Sequence, residues 1–144
     1  MKKHLFLRIS LAVAVLFSTS FLSALEPEAL VGDWTNIDDG TSSTIRLKVI
    51  ERGGIFFLKT WGAGTRNGVR AELPHDIRKM QVTGDPGSPI SMTATWDTGF
   101  SIIVDTITTE DGAIVMETTT KFTDDSGRKP YTVKEYFVPK GEGE

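Results

Sequence analysis

His75 and Asp76 stand side by side behind Pro74, the pairing that a general base and its orienting carboxylate would need. Apart from His4 near the start, His75 is the single histidine. A serine nucleophile would require it together with a sharp nucleophile turn, and no Gly-x-Ser-x-Gly occurs. The chain has no cysteine, which excludes thiolate nucleophiles and attachment through a lipidated cysteine. His75 therefore reads as a solvated loop residue. Paired carboxylates can hydrolyse glycosides when their environments separate their proton affinities, and Asp38-Asp39, Glu110-Asp111 and Asp124-Asp125 are the candidates. Each pair adjoins glycine or serine, where turn chemistry accounts for aspartate without catalysis. Asp105 and Glu117 differ, because both fall in mid-strand. Outward projection is the default for them, and an inward carboxylate there would suit a cationic ligand.

Metal and phosphate chemistry find little support. The aspartate turns lack the longer alternation of acids ending in glutamate that a calcium loop uses, and His75 without thiolates cannot close a zinc site. No metal and no cofactor is expected. Gly62-Ala63-Gly64-Thr65-Arg66-Asn67-Gly68 is rich in glycine but lacks the Gly-Lys-Ser/Thr ending of a phosphate loop. It reads as a loop between strands running on to Pro74, either a plain connection or a lid over a binding site.

Aromatic placement is the better clue. Trp34 falls at a strand start, and Trp61 and Trp96 fall at strand ends. Tryptophan buries a large surface while keeping an N–H donor, which suits both core plugs and ligand walls. In the segment 55–61 Trp61 shares its strand face with Phe57, and in 90–96 Trp96 shares its face with Met92. If those faces turn inward, Trp61, Trp96, Phe57 and Met92 form an apolar wall. Lys59 has the parity of Trp61 and Phe57, which marks either a bulge or a cation placed inside for an anionic ligand.

These residues must be carried by a particular set of elements. Met1-Lys2-Lys3 and Arg8, an apolar stretch from Leu5 to Phe17, and small residues up to Ala24 have the form of a cleavable signal peptide over 1–24. The stretch is too short to span a membrane stably, so no membrane insertion is expected after its removal. Residues 25–144 are then one domain, in a periplasmic or secreted setting. Losing Lys2, Lys3 and Arg8 takes the formal charge from −3 to −6, which argues against nucleic acid as a partner. Without disulfides, the exported fold must rest on its own core.

The mature segment is punctuated for strands. Thr44–Val49 alternates apolar and polar residues, and Glu51-Arg52-Gly53-Gly54 turns it into Ile55–Trp61. Ile90–Trp96, Phe100–Thr109, Ala113–Thr123 and Tyr131–Val138 follow, each set off by a turn such as Asp97-Thr98-Gly99, Glu110-Asp111-Gly112 or Asp124-Asp125-Ser126-Gly127. With Trp34–Ile37 and Asp76–Thr83 the count is about eight. Helical periodicity is confined to the leading segment and a short turn near Glu28-Ala29-Leu30. The pattern predicts an all-β fold, an antiparallel up-and-down barrel of about eight strands, with a β-sandwich as the alternative.

Gly32-Asp33-Trp34 near the mature start resembles the Gly-x-Trp opening of the calycin superfamily of lipocalins and avidins. Together with Thr60-Trp61-Gly62, the run from Ala94 to Phe100 and the run from Lys121 to Arg128, it resembles a group of small exported lipocalin-like bacterial proteins. That resemblance implies that Gly32 and Trp34 plug one barrel end while the other is open to ligand. The arginine that covers such a tryptophan has only Lys134 or Arg128 as counterparts here, and Asn36, Ser43 and Thr44 are the residues that could act as polar ligands in the avidin manner. The leading functional expectation is an exported barrel holding a small, mostly apolar molecule among Trp61, Trp96, Phe57, Met92 and Lys59. The alternative is an interaction or inhibitor module for another exported protein, or a homodimer, with an enzyme third.

Overall fold

Short runs of β-branched and aromatic residues between glycine turns leave this chain little option but antiparallel pairing. The computed structural model describes residues 26–84 and 90–141; the signal peptide expected over 1–24 lies outside them. Among the described residues one 3₁₀ turn, Pro27–Leu30, precedes nine strands. They are β1 (Gly32–Asn36), β2 (Thr44–Arg52), β3 (Ile55–Arg66), β4 (Val69–Pro74), β5 (Arg78–Thr83), β6 (Ser91–Asp97), β7 (Ser101–Glu110), β8 (Ala113–Phe122) and β9 (Tyr131–Pro139). Eight of them form a ring in which each strand pairs antiparallel with the next, and β1 closes on β9 with Thr35 opposite Val138. Closure makes this an up-and-down barrel and rules out the sandwich, which would leave two separate sheets.

The ninth strand, β4, corrects the expectation of a loop from Gly62 to Pro74. β3 runs twelve residues to Arg66, and Asn67 and Gly68, at φ 53° and 77°, turn it back as a two-residue hairpin into β4. Beyond the barrel, β4 pairs with β3 alone. β4 and β5 lie in succession along β3, with Trp61 opposite Pro74 and Leu58 opposite Arg78. The register shifts by one residue between those pairs, so β4 and β5 are one strand broken by a bulge at His75–Ile77. Such bulges re-aim side chains.

One half of the barrel is filled. Leu47, Leu58, Met92, Ile107, Met116 and Phe137 are all at most 1% exposed and interlock from six strands. Leu30 and Trp34 belong to the same cluster, and the Trp34 indole Nε1 donates to the Leu30 carbonyl at 2.9 Å. Gly32 takes φ 140°, open in practice only to glycine, which explains the glycine two residues ahead of the tryptophan. The two cations considered as covers for Trp34 are engaged elsewhere: Arg128 lies 3.8 Å over Phe122, and Lys134 lies 5.5 Å from Tyr136.

Candidate functional site

Above the apolar half, the inward positions change character. Thr44, Thr60, Arg78, Asp105 and Thr120 are all buried, and they floor and wall a cavity of about 440 Å³ at the opposite end from Trp34. Arg78 enters by simple alternation, since Met80 faces the core and the residue two before it must do the same. Asp105 arrives likewise from β7, two residues before the buried Ile107.

These two charges form the centre of the site. Arg78 Nη1 lies 2.6 Å from Asp105 Oδ2, with the residues 8% and 4% exposed. Asp105 also accepts a hydrogen bond from Thr118 Oγ1 at 2.7 Å. Arg78 is less well served. Its Nη2 donates to Thr60 Oγ1 at a long 3.4 Å, while Nε has no hydrogen-bond partner and Nη1 meets the carboxylate as a charge contact, off the donor angle. Among the described residues these are the only buried side-chain polar atoms left without a hydrogen bond. Burying such donors costs free energy unless an acceptor meets them.

His75 completes the group. The bulge places its ring against Thr60, with Nδ1 3.0 Å from Oγ1, and against Trp96, with ring centroids 5.3 Å apart. Gly62 makes this approach possible, because a Cβ there would lie 3.2 Å from the imidazole. Thr60 Oγ1 thus sits between the two cationic-capable groups, accepting from Arg78 on one side and sharing a hydrogen bond with His75 Nδ1 on the other. Burial, and then the Arg78 charge, hold the His75 pKa below its ordinary 6.5, against the opposing pull of Asp105 and Asp76. Its unfolded form therefore takes a proton before the folded form does. Stability contributed by neutral His75 is complete above pH 6.5 and is lost as pH falls through the folded-state value. Thermal unfolding of the protein and of His75→Gln should show this, the variant losing less stability on acidification than the parent.

A second polar knot sits beside the cavity. The Glu135 carboxylate accepts from Asn36 Nδ2 at 3.0 Å, Thr41 Oγ1 at 3.2 Å and Ser43 Oγ at 3.2 Å. Asn36 Nδ2 also donates to the Thr44 carbonyl at 2.8 Å. The amide is thus committed to the wall, whereas Ser43 and Thr44 do line the cavity. From the β4 overhang, Arg70 donates to the carbonyls of Asp39 and Thr41 and pins the same loop from outside.

The chain matches no family model, no curated protein and no solved structure. Its closed eight-stranded barrel is compatible with a calycin-like fold, and the likeness is one of architecture.

The residues expected to form an apolar wall are divided by the sheet. Trp96 lines the cavity, and Met92 lies below it in the filled core. Phe57, Lys59 and Trp61 are on the outer face, where Arg46 stacks 3.5 Å over Trp61 and Lys59 lies 5.1 Å from the same ring. The reason is register: Leu58 pairs with Val49 and Thr60 with Leu47, so the even-numbered positions of β3 face inward. Lys59 is accordingly neither a bulge marker nor an interior cation. Asp105 turns inward but meets Arg78, while Glu117 is exposed. His75 is half-buried and contacts Thr60, while its neighbour Asp76 is exposed. The acidic turns behave as turn chemistry requires, with Asp38 Oδ1 accepting from the Gly40 amide at 3.0 Å.

Arg78 and Thr60 did not stand out in the sequence. The parity of Met80 was the available signal for Arg78, because a methionine in an exposed strand with Lys79 and Gln81 fixes which face is inward.

Proposed function

We propose that this protein is an exported small-molecule carrier that holds one amphipathic ligand in the mouth of the barrel. The observation that carries this reading is Arg78, whose buried donors lack acceptors at the floor of a cavity of ligand size. An acceptor oxygen of the ligand, reaching the Arg78 guanidinium and the hydroxyls of Thr44 and Thr120, would supply the hydrogen bonds that Nε and Nη1 lack within the protein. Trp96, Ile103 and Val133 offer the apolar side of the same space. The ligand inferred is more polar than one held among Trp61, Phe57 and Met92 would be. Export rests on the form of residues 1–24.

Native mass spectrometry of protein purified from its own compartment tests both parts at once: the expected chain begins at Leu25 and carries a retained small molecule. In a complementary titration, an environment-sensitive dye displaced by that molecule should quench tryptophan emission. Trp96→Leu should abolish the quenching, and Arg78→Met should weaken binding about tenfold, the worth of one charged hydrogen bond. Undiminished affinity in both variants would move the ligand out of this cavity.

A further inference from the structure

The outer surface over the filled half of the barrel carries a charge pattern that the fold itself does not need. Arg46, Lys48 and Arg52 project from β2, Lys59 from β3 and Lys79 from β5, while the segment from 25 to 144 is strongly acidic overall. Asp33 engages Arg46 and Lys48, and Glu72 engages Arg46; among the described residues, Arg52, Lys59 and Lys79 have no acidic partner. Lys59 also faces Lys48 directly across the β2–β3 register. Like charges in that position destabilise a sheet. Between the cations lie large apolar side chains: Ile55 and Ile77 are 41% and 44% exposed, and Phe57 is half-buried. Arg46, Lys48, Arg52, Lys59, Trp61 and Ile77 border a shallow groove of about 410 Å³.

We propose that this face docks on a membrane surface rich in anionic lipid. Charge complementarity selects an anionic partner. The exposed isoleucines select a bilayer over a soluble polyanion, since they would enter the headgroup boundary while the surrounding lysines and arginines meet phosphates. Trp61 already carries Arg46 and Lys59 about its ring, so it is not free to stack on a sugar. Phe56 and Leu58, the inward neighbours of Phe57, belong to the filled half, so a barrel docked by this wall keeps its cavity clear of the lipid.

The test is co-sedimentation of protein from its own compartment with phosphatidylglycerol–phosphatidylcholine vesicles and with phosphatidylcholine vesicles alone. Binding is expected only to the anionic vesicles and should fall as salt is raised. Lys59→Gln with Lys79→Gln should lower the partition coefficient about 25-fold, roughly fivefold per cation. Ile55→Ser with Ile77→Ser should weaken it too, and Lys121→Gln with Lys134→Gln on other strands should leave it unchanged. All these side chains are outward, so circular dichroism can confirm intact folding. Equal binding to neutral vesicles, no binding, or equal loss in the control pair would overturn the proposal. So would capture by soluble heparin that is indifferent to the isoleucine changes, which would make the partner a polyanion.

Discussion

Asp105→Ala should be among the most damaging single substitutions in the barrel, costing about 3–5 kcal/mol, because it strands the Arg78 guanidinium in a buried site with no counter-charge. The carboxylate is also what Thr118 donates to, so the loss leaves two donors unmatched. Arg78→Met alone should be damaging for the mirror-image reason. The informative molecule is the double variant Arg78→Met with Asp105→Leu. Removing both charges removes the cost of keeping them out of water, so most of the single-variant loss should be regained. Urea unfolding of the four proteins closes the cycle, with a coupling of several kcal/mol expected. Simple additivity would mean that the two groups do not form a buried pair. Ligand binding should stay weak in the restored double variant, separating stability from function.

Trp34→Ala should be comparably severe. The indole is 8% exposed within the apolar cluster and anchors the Leu30 carbonyl, so its removal opens a large void and orphans an acceptor. Truncating a buried tryptophan costs about 3–5 kcal/mol. Trp34→Phe keeps an aromatic ring and should lose less, chiefly the hydrogen bond and part of the packing. A midpoint of denaturation equal for the two variants would show that the ring itself contributes little.

The strand series was legible because alternation and glycine turns are local signals. In Thr44–Val49 the alternation sets Ile45, Leu47 and Val49 on one face; Leu47 and Val49 are buried, while a register shift between Thr44 and Arg46 buries Thr44 in place of Ile45. β3 was harder. Ile55-Phe56-Phe57-Leu58 is apolar on both faces, so periodicity alone does not set its phase, and the parity of Trp61 points to the set that the structure turns outward. Only the pairing with β2, a contact between strands, decides it. The β3–β4 overhang was obscured by its glycines, which in the structure make room for neighbouring side chains: Gly62 for His75, and Gly64 for Leu73. Asn67-Gly68 was the hairpin signal within that run. As for the site, Asp105 is legible as a mid-strand acid and Trp96 as an aromatic wall, but their meeting with Arg78 and His75 depends on barrel closure and on one bulge. Neither leaves a mark in a single stretch of sequence.

The overhanging β4 has a bearing on self-association. A strand bonded to one neighbour only is a template onto which another chain could add a strand, and Val69 on it is 68% exposed. Pro74 denies that edge a donor, and Arg70 and Glu72 place opposite charges along it. The barrel has thus exchanged a closed rim for an extended one and guarded the exposed edge with residues that discourage stacking into fibres.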